Sequence, residues 1–202
     1  MTLHTEPLDQ EDQDAIILDA RAGDVDSLRD IFTTLIHPKL LITCRDSSTN
    51  STALHMACAN GHVETARYIM ELVKENCAND AELREFVNQQ NETGNTALHW
   101  ASLNGKLEAV KMLCDEYEAD PFIRNKFNQD AIYEAENNEE EEVEGYFLEK
   151  YDVEPLRDEE KNQDNAAAPA VQVTKGTEIE QVTKDAAEAL RQTTEQLNIN
   201  DS

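Results

Sequence analysis

The segment Thr52-Ala-Leu-His-Met-Ala-Cys-Ala-Asn-Gly61-His-Val-Glu-Thr-Ala-Arg67 recurs 44 positions on as Thr96-Ala-Leu-His-Trp-Ala-Ser-Leu-Asn-Gly105-Lys-Leu-Glu-Ala-Val-Lys111. Thr, Ala, Leu, His, Ala, Asn, Gly and Glu are kept at matching positions. An internal repeat restricts the fold more than any composition can, because each copy must take one conformation and bury its face against its neighbours. Weaker copies flank the pair. Asp14-Ala-Ile-Ile-Leu-Asp-Ala-Arg-Ala-Gly23 puts Ile16 where Leu54 sits, and Asp130-Ala-Ile-Tyr-Glu-Ala-Glu-Asn-Asn138 follows Thr96 by 34 positions. About four units result, two clear and two degenerate, the latter placed where the caps of a stack belong.

Each unit reads as two helices. After the Thr, Leu54, Ala57 and Cys58 give an i, i+3, i+4 stripe of small apolar residues that lets the first helix lie close to its neighbours. Asn60-Gly61 stops it, since glycine tolerates the left-handed conformation that ends a helix. Val63, Ala66, Ile69 and Met70 then mark the inner face of a second helix, and Leu107, Val110, Leu113 and Cys114 do so in the later copy. The turn before each Thr needs a positive-φ residue two positions earlier. Gly94 fills that place once, and Asn50 and Asn128 fill it in the flanking turns.

T-x-L-H-x-A followed by N-G and Glu resembles the ankyrin repeat, whose period is about 33 residues. The longer step between the two clear copies therefore implies an insertion of roughly eleven residues, placed near 74–89, where Ala81-Glu-Leu-Arg-Glu-Phe86 forms a short helical pattern. The fold expected is all-α: an ankyrin-repeat solenoid of about four repeats, two clear and two degenerate caps, with an extended C-terminal tail. Residues 1–8 form an N-terminal lead and 9–152 the array. An acidic, polar linker follows over 153–176. A marginal amphipathic helix and tail occupy 177–202, opened by the capping box Thr177-Glu-Ile-Glu180.

Charge narrows the function classes. Seventeen Lys+Arg stand against 43 Asp+Glu, for a net charge of −26. Such a chain repels phosphate backbones and anionic lipid, which argues against direct nucleic-acid or membrane binding and for a basic protein partner. From Val153 onward there are 11 acidic and 5 basic residues, so most of the excess, 32 acidic against 12 basic, belongs to the array. The first fourteen residues carry five carboxylates and neither a basic nor an apolar stretch, and do not read as a signal peptide. Cys44, Cys58, Cys77 and Cys114 form no CxxC pair and no metal spacing, and read as reduced thiols.

The groups that could carry chemistry have plainer roles. His55 and His99 hold one repeat position, three residues after a Thr. In the resembled pattern that histidine bonds the Thr hydroxyl and the turn backbone. Cys58 and Cys114 fall inside stacked units and read as packing. Gly23, Gly61, Gly94 and Gly105 are repeat turns, which leaves no phosphate-binding glycine loop. No nucleophile stands with a His and an acid, and no catalytic set, cofactor or metal is expected. Glu139-Glu-Glu-Glu142 reads as the solvated start of the last helix or as part of an acidic binding surface. Trp100 reads equally as packing or as a binding anchor.

The resemblance implies protein binding in a concave groove made by the turns and the exposed first-helix positions. Carried onto this sequence, the groove is Arg21 and Ala22; Asp46, Ser48, Thr49, Ser51, Ala59 and Asn60; Glu92, Thr93, Asn95, Trp100, Leu103 and Asn104; and Lys126, Phe127, Gln129, Glu134, Asn137 and Asn138. With Asp120 and Glu136 nearby, an acidic groove is expected, one that attracts a basic segment and weakens in salt. The acidic balance, the insertion, and Lys175-Gly-Thr-Glu-Ile-Glu-Gln-Val-Thr-Lys184 resemble the fungal ankyrin-repeat chaperones dedicated to a small-subunit ribosomal protein, the third of its series. That resemblance implies a monomer, cytoplasmic and nuclear, forming a heterocomplex with a newly made basic client and keeping it soluble until ribosome assembly. A generic ankyrin adaptor or inhibitor of a regulatory protein is the alternative.

Overall fold

The first helix of each unit starts at a Thr or Asp cap and ends at Gly or Asn. The resulting order, in a computed structural model that describes residues 3–151, is as follows. The first pair is α1 (Gln10–Ala22) and α2 (Val25–Asp30), and the second is α3 (Ala53–Asn60) and α4 (Val63–Asn76). The insertion contributes α5 (Asp80–Val87). The third pair is α6 (Ala97–Leu103) and α7 (Leu107–Lys111), and the fourth is α8 (Ala131–Asn137) and α9 (Glu141–Tyr151). α2 and α7 run on into single π-helical turns, Ile31–Leu35 and Met112–Glu116, and a 3-10 helix spans Pro38–Thr43. The linker and C-terminal helix expected beyond 152 lie outside the described residues.

First helices pack in one row, α1 on α3, α3 on α6 and α6 on α8, with α2, α4, α7 and α9 as the row behind. The stripe Leu54, Ala57, Cys58 is buried as expected, but so is everything from Ala53 to Ala59. A central first helix has a neighbour on each side, its own second helix behind and a turn in front, so Ala59 is not an exposed groove position. In the second row Ala66, Ile69, Met70, Val110, Leu113 and Cys114 are buried. Val63 and Leu107, expected inward, are half-buried, because each opens its helix at the rim of the stack.

The insertion folds on itself and then onto the array. Asn79 Oδ1 accepts from the amides of Ala81 and Glu82 at 2.9 and 3.1 Å, starting α5. Leu83, Phe86 and Val87 go inward, against α4. The lead before Asp9 is tied to the first unit by two backbone bonds of 2.8 Å, His4 N–H to the Leu35 carbonyl and His37 N–H to the His4 carbonyl.

Backbone conformation explains the residue types at the turns. Gly94 has φ +84°, and a Cβ there would meet the Lys126 backbone nitrogen at 2.8 Å. Asn50 and Asn128 take φ of 57° and 63° in the equivalent places. Glu139, at φ 59°, stands where Gly105 ends the earlier first helix. The run Glu139–Glu142 is therefore split, with α9 beginning only at Glu141.

Gly94→Ala combines left-handed strain with a backbone clash and is expected to lower unfolding free energy by about 1 to 3 kcal/mol. Asn128→Gly removes strain and should cost nothing or gain up to about 1 kcal/mol. Urea unfolding midpoints of the two variants check this pair of opposite expectations.

Candidate functional site: the finger turns and first-helix edge

Each finger turn is closed at its base by one side chain. Asp46 accepts from the amides of Ser48 and Thr49, both at 2.9 Å, and of Ser51 at 2.8 Å. Asn91 Oδ1 accepts from Thr93 N and Asn95 N at 3.0 and 2.9 Å. Asn125 Oδ1 repeats this toward Phe127 N and Gln129 N at 2.9 and 3.0 Å. Successive fingers are then linked: Glu92 N–H donates to the Thr49 carbonyl at 2.8 Å, and Lys126 N–H to the Thr93 carbonyl at 3.0 Å. Asn125 Nδ2 adds a bond of 2.7 Å to Asn95 Oδ1. Asn91 and Asn125 were not among the candidate residues. Their signal is present in the sequence, as an Asn four positions before Asn95 and before Gln129.

The two histidines join fingers to helices. His55 Nδ1 lies 2.8 Å from Thr52 Oγ1 and 3.2 Å from Thr52 N, while Nε2 lies 3.0 Å from the Asn95 carbonyl of the next unit. A carbonyl can only accept, so Nε2 carries the proton and Nδ1 is the acceptor. His99 repeats the arrangement with Thr96 at 2.8 Å and the Gln129 carbonyl at 3.1 Å. Burial pushes the His55 pKa down to about 4, against the partial opposition of its Asn95 bond, and lowers that of His99 for the same reason. Both rings are neutral ties. At the first unit, where Ile17 replaces the histidine, Asp14 takes over by accepting from Ser47 N at 3.0 Å and Ser47 Oγ at 2.9 Å. Burial also raises the Cys44 and Cys114 thiols to about 11, which keeps them protonated.

Of the groove residues drawn from the sequence, Arg21, Ser48, Asn60, Glu92, Lys126, Phe127 and Asn137 are exposed. Asp46, Thr49, Thr93, Leu103, Asn104, Gln129 and Asn138 are half-buried. Ser51, Asn95, Trp100 and Glu134 are corrected: all four are buried. The Ser51 hydroxyl accepts from Thr49 Oγ1 at 2.7 Å and Asn91 Nδ2 at 3.3 Å. Asn95 serves the ladder above. Trp100, 4% exposed, stands edge-on to His55 with ring centroids 5.8 Å apart, which decides for packing. Glu134 receives Asn125 Nδ2 at 3.2 Å.

The expected acidic groove is corrected as well. Asp46 is taken up by its turn and Glu134 and Glu136 are buried, while Asp120 stays exposed and accepts from Phe122 N at 2.9 Å. The charges exposed along the finger and first-helix edge are of both signs: Arg21, Arg124 and Lys126 with Glu92, Asp120 and Glu139. Exposed carboxylates gather on the second row and the insertion instead: Glu64, Glu71 and Glu75 on α4, Asp80, Glu82 and Glu85 beside or on α5, and Glu108 on α7. The helical period explains this, since only the outward face of a second helix is free of neighbours.

Comparison with known proteins agrees with this geometry. The family profile described as ankyrin repeats (3 copies) matches residues 18–125. The chain belongs to the ankyrin-repeat family. It is 71% identical over 201 residues, 99% of each chain, to the ankyrin repeat-containing protein YAR1 of Saccharomyces cerevisiae. An ankyrin repeat-containing protein of Schizosaccharomyces pombe is 40% identical over 157 residues, covering 76% of this chain and 98% of the relative. Among solved structures, a crystal structure of yeast ribosomal protein Rps3 in complex with its chaperone Yar1 matches with a TM-score of 0.72 and 71% identity, covering 75% of this chain and 100% of that one. Among the described residues, no group of three or more His, Cys, Asp and Glu could hold a metal, and no helix is long and apolar enough to cross a membrane.

In this ankyrin array the neutral His55 sets a pH limit. Its folded pKa of about 4 lies below the ordinary 6.5, so stability is fully present above pH 6.5 and is lost as pH falls toward 4. The full loss is roughly 3 kcal/mol. Unfolding free energies measured between pH 7 and 4 should fall accordingly, and His55→Gln should be less stable at pH 7 with a shallower fall.

Proposed function

We propose that this chain is a dedicated chaperone of a newly made, basic small-subunit ribosomal protein, the third of its series, and that it keeps the client soluble and delivers it for ribosome assembly. The observation that carries this reading is the 71% identity to a yeast protein whose crystal structure is a complex with Rps3, described there as that protein's chaperone. The physical chemistry is consistent with it. An unassembled ribosomal protein exposes cationic surface made for RNA, and a partner of net charge −26 lowers the cost of holding that surface in water. Steered association is fast and weakens in salt, as a carrier that must release its client requires.

The role is stoichiometric binding, without catalytic turnover, by a monomer that forms a heterocomplex. The proposed working places are the cytoplasm, where the client is made, and the nucleus, where it is used. The sequence has no run of basic residues, so nuclear entry is ascribed to small size or to passage with the client.

Tagged protein should capture one dominant basic ribosomal protein from native lysate at low salt, free of other ribosomal components. Raising ionic strength from about 50 to about 200 mM should reduce the yield severalfold, given the shorter screening length. Purified client alone should aggregate, and should stay in the supernatant with an equimolar amount of this chain. Capture of a regulatory protein insensitive to salt would instead establish the adaptor reading.

A further inference from the structure

The second helix of the last unit, α9, gathers aromatic side chains on the back of the stack. Phe147 is fully buried and stands behind two half-buried tyrosines, with ring centroids 5.6 Å from Tyr146 and 6.2 Å from Tyr151. Phe122, 50% exposed, continues the wall edge-on to Tyr151 at 5.6 Å. A cation already lies on this wall. The Lys150 ammonium is 5.5 Å from the ring centroids of both Tyr146 and Tyr151, within the range where a ring face attracts positive charge. It is paired with the carboxylate of Asp115, in the π turn after α7, and donates to the Tyr146 hydroxyl at 3.1 Å. Two ring faces and one carboxylate thus make a cation site, and the chain fills it with its own lysine.

That lysine is not what holds the helix down. The Tyr146 hydroxyl donates to Asp115 directly at 2.9 Å, and Val143 and Phe147 are buried where α9 meets α7 and α8. Lys150 reaches the site from one turn along the same helix. Its side chain stays 29% exposed and that of Asp115 50%. A pair this open contributes only about 0 to 1 kcal/mol, so another cation can replace it at little cost. Arginine stacks on aromatic faces better than lysine does, and Phe122 offers a further exposed ring beyond the two that Lys150 touches. We propose that Tyr146, Tyr151 and Asp115 form an exchangeable cation cage, closed by Lys150 in the free chain and entered by an arginine or lysine side chain of the basic client. The inference rests on the chaperone reading and adds to it a contact on the second row, at the last unit. Lys150 acts there as an internal competitor, so a lone cation that brings no other contacts is held weakly.

The test has two arms, both on the full chain. Tetramethylammonium, which donates no hydrogen bond and is held by ring faces and charge alone, probes the cage by NMR. In Lys150→Ala it should shift the Tyr146 and Tyr151 ring signals saturably. In the wild type it should do so only at about tenfold higher concentration, since the resident lysine leaves few cages open. Titration with yeast Rps3 at fixed salt then reads the exchange. Lys150→Ala should bind about three- to tenfold more tightly although an ion pair is lost. Lys74→Ala makes the same change in net charge on α4 and should alter affinity by no more than about twofold. Adding Asp115→Asn to Lys150→Ala should cancel the gain. A lysine that only pinned α9 would give a loss or no change on removal. That result, a gain matched by Lys74→Ala or surviving Asp115→Asn, or no probe shift in Lys150→Ala would overturn the inference and leave the chaperone reading in place. No binding of Rps3 by the wild-type chain would overturn both.

Discussion

The buried histidine that closes its own helix start and reaches into the next unit is the constraint on which the rest of this array depends. It holds three things in register at once: the Thr cap, the first helix and the following finger. Each imidazole is buried, so its lone pair and its N–H must both be satisfied inside the protein, at a cost of about 1 to 3 kcal/mol if either is not. That requirement fixes where the next finger can lie. It also explains the pattern of degeneracy at the ends. His55 and His99 occur in the two units with both a full Thr turn and a finger after them. At the first unit Asp14, helped by Gln13, whose side chain accepts from Arg45 N at 3.1 Å, holds the finger instead. At α8, with no finger after it among the described residues, Tyr133 replaces the histidine and Asp130 keeps only the cap, accepting from Tyr133 N at 3.0 Å.

Which parts of this arrangement were legible in the sequence follows from what selects a residue type. Positive φ selects Gly or Asn through backbone sterics alone, so Gly94, Asn50 and Asn128 could be placed from their spacing to the next Thr or Asp. The histidine ties were legible for a related reason, since one position explained both residues. The acidity of the groove was not. Asp46 looks like a free charge when charges are counted, yet its carboxylate is spent on amides two, three and five residues ahead. Its kinship with Asn91 and Asn125 was obscured because the first finger is one residue longer. Trp100 was undecidable because whether a first-helix position is covered depends on the neighbouring units, and no pattern within one unit reports that.

The separation of charge from the finger edge has a physical consequence. Coulomb attraction reaches across roughly one screening length, about 8 Å at physiological ionic strength, whereas hydrogen-bond selection acts only in contact. Carboxylates on α4, α5 and α7 raise the local concentration of a cationic partner without fixing its orientation. The finger edge is rigid, because each turn is closed by a side chain and bonded to the next, and its exposed charges are of both signs. Attraction and orientation can therefore be altered by different substitutions.

A linear stack is also what makes so acidic a chain tolerable. In a round domain of this size, many like charges would lie within a screening length of one another, and self-repulsion would erode a stability of only about 5 to 15 kcal/mol. Here helices of successive units stand about 8 to 10 Å apart, so carboxylates two units away are already screened from one another. Repulsion stays between neighbours, where exposed pairs such as Arg67 with Glu116, which joins α4 to the turn after α7, relieve part of it. A basic segment lying along the stack would meet each unit's charge in turn. The geometry that keeps the carboxylates from destabilising the array is therefore the one that offers all of them to an elongated cationic partner.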